Sequence, residues 1–373
     1  MLKLIKWNEF MDLAMKCKGV VCIGAGKRLT NMAQLPVTDE YLDSIKYIAD
    51  NNKHKQGTLV EIGSQRLIVT SVEQLKGYNL KNMVILITVA EGYYDIVEQL
   101  KIMGVYDDID IYCLSHIKAL YMEDIAMSKK IPDNIRLSEK MLIPKKIHYC
   151  WFGGNPLPDK YKKWMESWSK YCPDYEIIEW NESNYDITKN KYMYDAYKTK
   201  KWGFVPDYAR LDIIYNHGGI YLDTDVELVG NLDELLYEDA FAGFECSDYV
   251  AFGLGFGAKK GNPIIKELRD DYEKREFIKR DGSLNFEASP VIQTDLLIKK
   301  GLICNGEYQV LDGITIFPEK MLCGKSPYTR RVLLNSFTKS VHHYEGTWLE
   351  DDIREKIEKK KENLVNYCRN NIA

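Results

Sequence analysis

The sequence predicts an α/β protein of two domains, and three observations carry that expectation. At 373 residues the chain exceeds one ordinary domain and can bury a large core. Up to about residue 125, short apolar runs alternate with segments of helical spacing, as in parallel βαβ units. A polar, charged, proline-containing stretch, "MSKKIPDNIRLSEKM" at 127–141, then interrupts the alternation before a fresh strand-like run begins. The expected division is a Rossmann-like domain at 1–126, a linker at 127–141, and a second α/β domain at 142–373 that ends in a helical tail.

The elements follow in order. "WNEFMDLAMKC" (7–17) sets Trp7, Phe10, Met11 and Ala14 on one helical face. "GVVCIGAGKRLTNMAQL" reads as strand, glycine-rich turn and helix. "KYIADNN" is a second strand with an acidic and polar exit, and "MVILITVA" (83–90), the longest apolar run, is strand-sized. In the second domain, strands are expected at 175–180, 219–228, 239–245 and 314–319, after the opening run "IPKKIHYCWFGG". Helices are expected at 158–171, 206–217, 262–275 and 289–301. The helix 206–217 is well punctuated: Pro206 fits its first turn and Gly218-Gly219 its stop. The tail at 349–369 spaces Leu349, Ile353, Ile357, Leu364 and Val365 on a charged background, a solvated helix face.

Composition excludes several classes. A formal net charge of −4 and a pI near 6.0 give no bulk electrostatic reason to bind nucleic acid. Nine cysteines, odd in number and without a CxxC pair, indicate neither a zinc site nor a disulfide framework. The N-terminus lacks a signal-peptide layout, and no run reaches the roughly 20 apolar residues of a membrane span. The expected location is therefore cytoplasmic, or peripheral at the inner membrane face.

The stretch "HGGIYLDTDVELV" (217–229) raises the chemical question. Asp223 and Asp225 end an apolar run, where packing has no use for two carboxylates. In an extended chain, residues two apart share a face, so the pair can converge on one object. Adjacent carboxylates repel unless a cation lies beside them. Mg2+ and Mn2+ take such oxygen ligands and keep positions free for phosphates. An acidic strand exit with Thr224 as spacer is the plainer alternative.

The block "VPDYARLDIIYNHGGIYLDTDVEL" resembles the signature of the retaining DXD-motif glycosyltransferases. That family comprises bacterial capsular and polysaccharide transferases, is related to the yeast initiating mannosyltransferase, and is more distantly similar to the clostridial toxin glucosyltransferases. "IPKKIHYCWFGG" (143–154) resembles its opening strand and "VHHYEGTW" (341–348) its closing element. The three blocks span about 205 residues, and the first 125 lie outside the resemblance.

The resemblance implies a GT-A (nucleotide-diphospho-sugar transferase) catalytic domain with a mostly parallel sheet. It implies a nucleotide-sugar donor, with UDP the default and GDP the rival, and a glycan or lipid-linked glycan acceptor. Trp151, Gly153, Asp207, Arg210, Tyr221, Asp223 and Trp348 would surround the donor. Asp207, Arg210, Asp223 and Asp225 would carry catalysis. Mn2+ or Mg2+ would sit on Asp223, Asp225 and His343, the histidine favoured over His342 by register. Front-face substitution without a covalent adduct is expected. The usual Gly-Pro of a further family segment is here Ser289-Pro290, which unsettles any contact inferred there. Asp295 reads as a helix-surface residue, and "FGLGFG" (252–257) as a rim or a tight turn.

Three rivals remain at this stage. A toxin-like protein glycosyltransferase would need translocation segments. A two-domain dehydrogenase built on residues 20–50 has no use for Asp223 and Asp225. A non-catalytic sugar-nucleotide module keeps Trp151 but needs no metal. The loop "GAGKRL" has Gly24 and Gly26 but Leu29 at the third glycine position, so its dinucleotide signal is weak. "YIADNNKHKQG…EIGSQRLIVTSVEQL" resembles the small Rossmann-like domain attached to several bacterial polysaccharide enzymes, and that resemblance implies Asp50 near any ligand of the domain.

Overall fold

The computed structural model describes residues 2–30, 35–104, 109–346 and 354–355. The chain divides into two compact units that meet at Asp124 and Ile125. The helix Leu114–Ser128 runs across that point, so the first residues of the polar stretch 127–141 are helical and the remainder is irregular.

In the first unit, seven strands form one sheet. Their spatial order is Leu2–Lys3, Ile111–Cys113, Val84–Ile87, Val20–Ile23, Ile45–Ala49, Gln65–Thr70 and Leu59–Ile62. Every neighbouring pair is parallel except the edge hairpin 59–70. Gly63-Ser64 turn that hairpin, with Gly63 at φ +56, a left-handed value that glycine adopts without penalty. Val20–Ile23 is wholly buried and its side chains alternate between two cores. Val21 and Ile23 join the cluster with Val97 and Leu100; Val20 and Cys22 join the one with Trp7 and Phe10. A strand covered on both faces reads as a continuous apolar run, which is why "VVCI" shows no polar alternation. The chain leaves this strand toward Ile45–Ala49 on one side and returns to Val84–Ile87 on the other. The loop Gly24–Gly26 therefore lies at a topological switch point.

The sheet of the second unit is mixed. Its order is Gln309–Leu311, Ile314–Phe317, Ala240–Cys246, Phe256–Ala258, Gly219–Tyr221, Lys146–Cys150 and Glu176–Trp180, with Tyr249–Ala251 beside Ala240–Cys246. Lys146–Cys150 pairs in parallel with both Gly219–Tyr221 and Glu176–Trp180. Phe256–Ala258 enters antiparallel between Gly219–Tyr221 and Ala240–Cys246. The mostly parallel sheet expected from sequence is thus interrupted in its middle. The connection from Ala240–Cys246 through Tyr249–Ala251 is short, and short connections reverse the chain where parallel pairing needs a crossover. Two cores again cover the sheet. Ile147 and Ile220 face one; Cys150 and Tyr221 face the other.

The helix Pro206–His217 has proline in its first turn and ends at Gly218, φ +66. A Cβ on Gly218 would stand 2.9 Å from the backbone N of Lys260 and 3.0 Å from Pro144. This stop therefore requires glycine for space as well as for conformation. Behind it, His148 is fully buried. Its Nε2 faces the Gly218 carbonyl oxygen at 2.9 Å, and its Nδ1 accepts from Trp180 Nε1 at 3.0 Å. Among the described residues no helix is long and apolar enough to cross a membrane. The expected helical tail falls outside the described residues apart from 354–355.

Candidate active site

Asp223 and Asp225 do not lie on one strand. Gly219–Tyr221 ends in the large sheet, and Val226–Leu228 belongs to a two-stranded sheet with Ser340–His342. Between them the chain turns, with the Val226 N–H donating to the Asp223 carbonyl at 3.1 Å. The carboxylates therefore converge through this turn and not through strand alternation, a correction to the extended reading of 219–228. The antiparallel partner strand brings in the third group, because Val226 pairs with His342.

Asp223, Asp225 and His342 offer ligand atoms that all lie within 4.8 Å of one another. His342 Nε2 is 3.3 Å from Asp225 Oδ1, and its Nδ1 is buried without a hydrogen bond. His343, which register favoured as the metal ligand, is directed elsewhere. Its Nε2 faces Glu227 Oε2 at 2.9 Å, and its ring stacks on Trp164 with centroids 3.9 Å apart. The physical reason is strand alternation: successive residues leaving Ser340–His342 face opposite sides.

The electrostatics are uneven. Burial raises the Asp223 pKa and neighbouring Asp225 raises it further, while Arg210 works against both. For Asp225, burial opposes the charge, but His342 and the Glu345 N–H outweigh it and pull the pKa to about 2. Burial opposes a proton on His342, yet Asp225 lifts its pKa above the ordinary 6.5. The Glu345 N–H donates to Asp225 Oδ2 at 3.0 Å, and the His343 N–H to the Asp225 carbonyl at 2.9 Å.

Asp207 and Arg210 form a buried pair one helical turn apart, as their spacing predicts. Arg210 Nη2 also donates to Ser289 Oγ at 2.7 Å, and Nη1 lies 3.8 Å from Asp223 Oδ1. Its Nε is buried without a hydrogen-bond partner. Burial drives the Asp207 pKa up to about 6 against the pull of Arg210. This is no surface ion pair: the side chains are 4% and 6% exposed. Ser289, at the position where the family pattern has glycine, supplies a hydroxyl to this pair.

The remaining expected residues divide. Trp151 follows the strand Lys146–Cys150, is part-exposed, and donates Nε1–H to the Asn155 carbonyl at 2.6 Å. Gly153, at φ +99, leaves no room for a side chain, since a Cβ would meet the Trp202 ring at 2.9 Å. Tyr221, expected on the donor, is 1% exposed. Its ring lies under Arg210, 5.9 Å from the guanidinium, and its hydroxyl bonds Asp223. It supports the site from below because its strand directs it into the core. Trp348 lies outside the described residues, and Asp295 is on the helix surface.

Gly253 is a residue that sequence reasoning missed. A Cβ there would stand 2.5 Å from Asp223 Oδ2 and 3.5 Å from Arg210 Nη1. Its only sequence signal is membership in "FGLGFG", which does not say what approaches it.

Residues 158–242 match the family described as "Glycosyltransferase sugar-binding region containing DXD motif". The matched residues lie in the second unit and include Asp223 and Asp225. Over 137 residues the chain is 31% identical to inositol phosphoceramide mannosyltransferase 3 of Schizosaccharomyces pombe, covering 35% of this chain and 37% of that protein. It is 27% identical over 179 residues to subversion of eukaryotic traffic protein A of Legionella pneumophila, covering 38% and 26%. The chain therefore spans well under half of these relatives' lengths. Among solved structures it is similar to PaToxG Glycosyltransferase at 19% identity and a TM-score of 0.35, covering 50% of this chain and 78% of that one.

Proposed function

We propose that the chain is a metal-dependent, retaining glycosyltransferase. It moves a hexosyl unit from a nucleotide-diphosphate sugar to a hydroxyl of a growing polysaccharide or lipid-linked glycan. The observation that supports this best is the convergence of Asp223, Asp225 and His342 within 4.8 Å, two of them inside the sugar-binding region. These residues fit a divalent cation. Two carboxylates crowd together with Arg210 3.8 Å away, and burial plus mutual repulsion raise the Asp223 pKa. Oxygen donors with one imidazole suit Mn2+ or Mg2+.

Asp223, Asp225 and His342 would hold the ion, which supplies Lewis-acid stabilisation of the leaving diphosphate when bound. The chain's own groups do the rest. Arg210 is a permanent buried cation held by Asp207 and Ser289, aimed where negative charge develops and needing little reorganisation. Trp151 offers an aromatic face for the base, and Gly153, packed against Trp202, shapes the turn beside it. Front-face substitution without a covalent glycosyl-enzyme adduct is the mechanism we expect.

The test is release of nucleotide from a panel of UDP- and GDP-sugars, with Mn2+ present or chelated. A nucleotide-mannose donor belongs in the panel and inositol phosphoceramide among the acceptors, because the fungal relative is named for that transfer. Metal-dependent release from one donor is expected. Release that persists unchanged under chelation removes the metal from the reading.

A further inference from the structure

The helix Asp159–Tyr171 presents Lys160, Tyr161, Trp164, Ser167 and Trp168 at spacings that place them along one face. That face grips Val226–Leu228, the strand that leaves the acidic turn, and the residues that follow its partner strand Ser340–His342. Trp168 Nε1 donates to the Val226 carbonyl at 2.9 Å, and Ser167 Oγ accepts the Leu228 N–H at 2.8 Å. One turn earlier, Trp164 stacks on His343 at 3.9 Å with planes 10° apart. A further turn back, Lys160 Nζ binds Glu345 Oε1 at 2.5 Å while lying 5.1 Å over the Trp164 ring.

The segment so held is in a costly conformation. Tyr344 has φ +59 and Gly346 φ +61, and a bulky residue at positive φ persists only when its surroundings over-determine it. Tyr344 Oη contacts Cys323 Sγ at 2.5 Å, and Arg330 lies 4.3 Å over its ring. What this strained backbone delivers is specific: the His343 and Glu345 N–H groups, both donated to Asp225. The column continues toward the base platform, since Trp164 stacks with Tyr161 at 5.7 Å and Tyr161 meets the edge of Trp151 at 5.8 Å.

We propose that this helix positions the metal ligands, with Trp164 and Lys160 as its positioning residues. They act through the segment His343–Glu345, to which Trp164 and Lys160 bind. They hold His343–Glu345 so that Asp225 keeps one oxygen on the Glu345 N–H and turns the other, with His342, toward the cation. This rests on the metal reading proposed above. Groups that orient a metal ligand in this way change metal affinity by roughly 10- to 100-fold.

The experiment is Mn2+ titration of the full chain, reading free Mn2+ by electron paramagnetic resonance, alongside thermal unfolding. Trp164→Ala should raise the Mn2+ Kd about tenfold or more, and Trp164→Phe, which keeps a stacking face, should restore most of it. Lys160→Glu should weaken Mn2+ binding, and adding Glu345→Lys should recover it. That exposed charge swap keeps the test decisive if Trp164→Ala fails to fold. A wild-type chain that takes up no Mn2+ overturns the metal reading beneath the proposal. A wild type that binds, with Trp164→Ala and Lys160→Glu binding equally tightly, overturns the positioning role alone.

Discussion

Each unit places an aspartate just past the end of an inner strand, at the sheet edge where open α/β sheets take ligands. The two behave in opposite ways. Asp50 follows Ile45–Ala49 and is fully engaged by its own loop and by the loop Gly24–Gly26. Its Oδ2 accepts from the Ala25 N–H at 2.8 Å and Lys55 Nζ at 2.9 Å, and its Oδ1 from the Asn52 N–H at 2.8 Å. Burial opposes its charge, but these bonds outweigh burial and its pKa falls. Asp223 follows Gly219–Tyr221, carries a second carboxylate two residues on, and has its pKa raised. A carboxylate satisfied by its surroundings is architecture; one left under-compensated beside another is poised for a cation.

The comparison breaks most directly at Asp225. Asp225→Ala should cut donor turnover by roughly a thousandfold or more, the several kcal/mol that a Lewis acid contributes, with the unfolding midpoint little changed. Turnover that survives would reduce the second unit's acids to the status of Asp50.

Glycines sharpen the contrast. Gly253→Ala puts a methyl 2.5 Å from Asp223 Oδ2 and should lower turnover by about 10- to 100-fold through misplaced charge. Gly26→Ala in the first unit meets nothing closer than Lys55 Nζ at 3.6 Å and should leave turnover and melting temperature unchanged. Equal effects in the steady-state rates of the two variants would erase the distinction.

Acid should weaken Mn2+ binding. The pKa of His342 stands above its ordinary 6.5 because Asp225 outweighs burial, so a proton competes with metal at that ring. Affinity should fall as pH drops, beginning above pH 6.5, and calorimetry across pH reads it. A flat profile down to pH 6 would remove His342 from the ligand set.

The smallest effect belongs to Asp50. Asp50→Ala strands the Ala25 and Asn52 N–H groups and should cost about 1–3 kcal/mol in urea unfolding, with turnover untouched. The folded pKa of Asp50 is depressed, so its contribution is present above the ordinary 3.8 and lost as pH falls through the folded value. Asp50→Asn should flatten that acid-side loss. A turnover defect in either variant would give the first unit a part in catalysis.

Much of this was legible in sequence. "VVCI" read as a strand before a glycine-rich turn, and Pro206 with Gly218-Gly219 marked both ends of a helix, since local steric rules decide such features within a few residues. The i, i+3 spacing of Asp207 and Arg210 put them together before any tertiary contact was known. Three things escaped. The acidic motif is a turn between two sheets, which depends on the partner strand Ser340–His342 more than 110 residues away. Whether His342 or His343 meets Asp225 depends on the register of that pairing, and a slip of one residue exchanges them. Gly253 and Ser289 matter only through what the fold brings against them.

The sequence alone therefore determined most element types, the glycine and proline punctuation, and a pair of carboxylates of the kind that suits a hard cation, while a histidine beside them was implied only by the family resemblance. These rest on short-range periodicity and on the donor chemistry of the side chains themselves. Tertiary structure decided which histidine joins the aspartates, that Asp207–Arg210–Ser289 is a buried network, and that Asp50 is satisfied while Asp223 is not. Those outcomes turn on strand register and burial, and both are set by contacts between residues far apart in the chain.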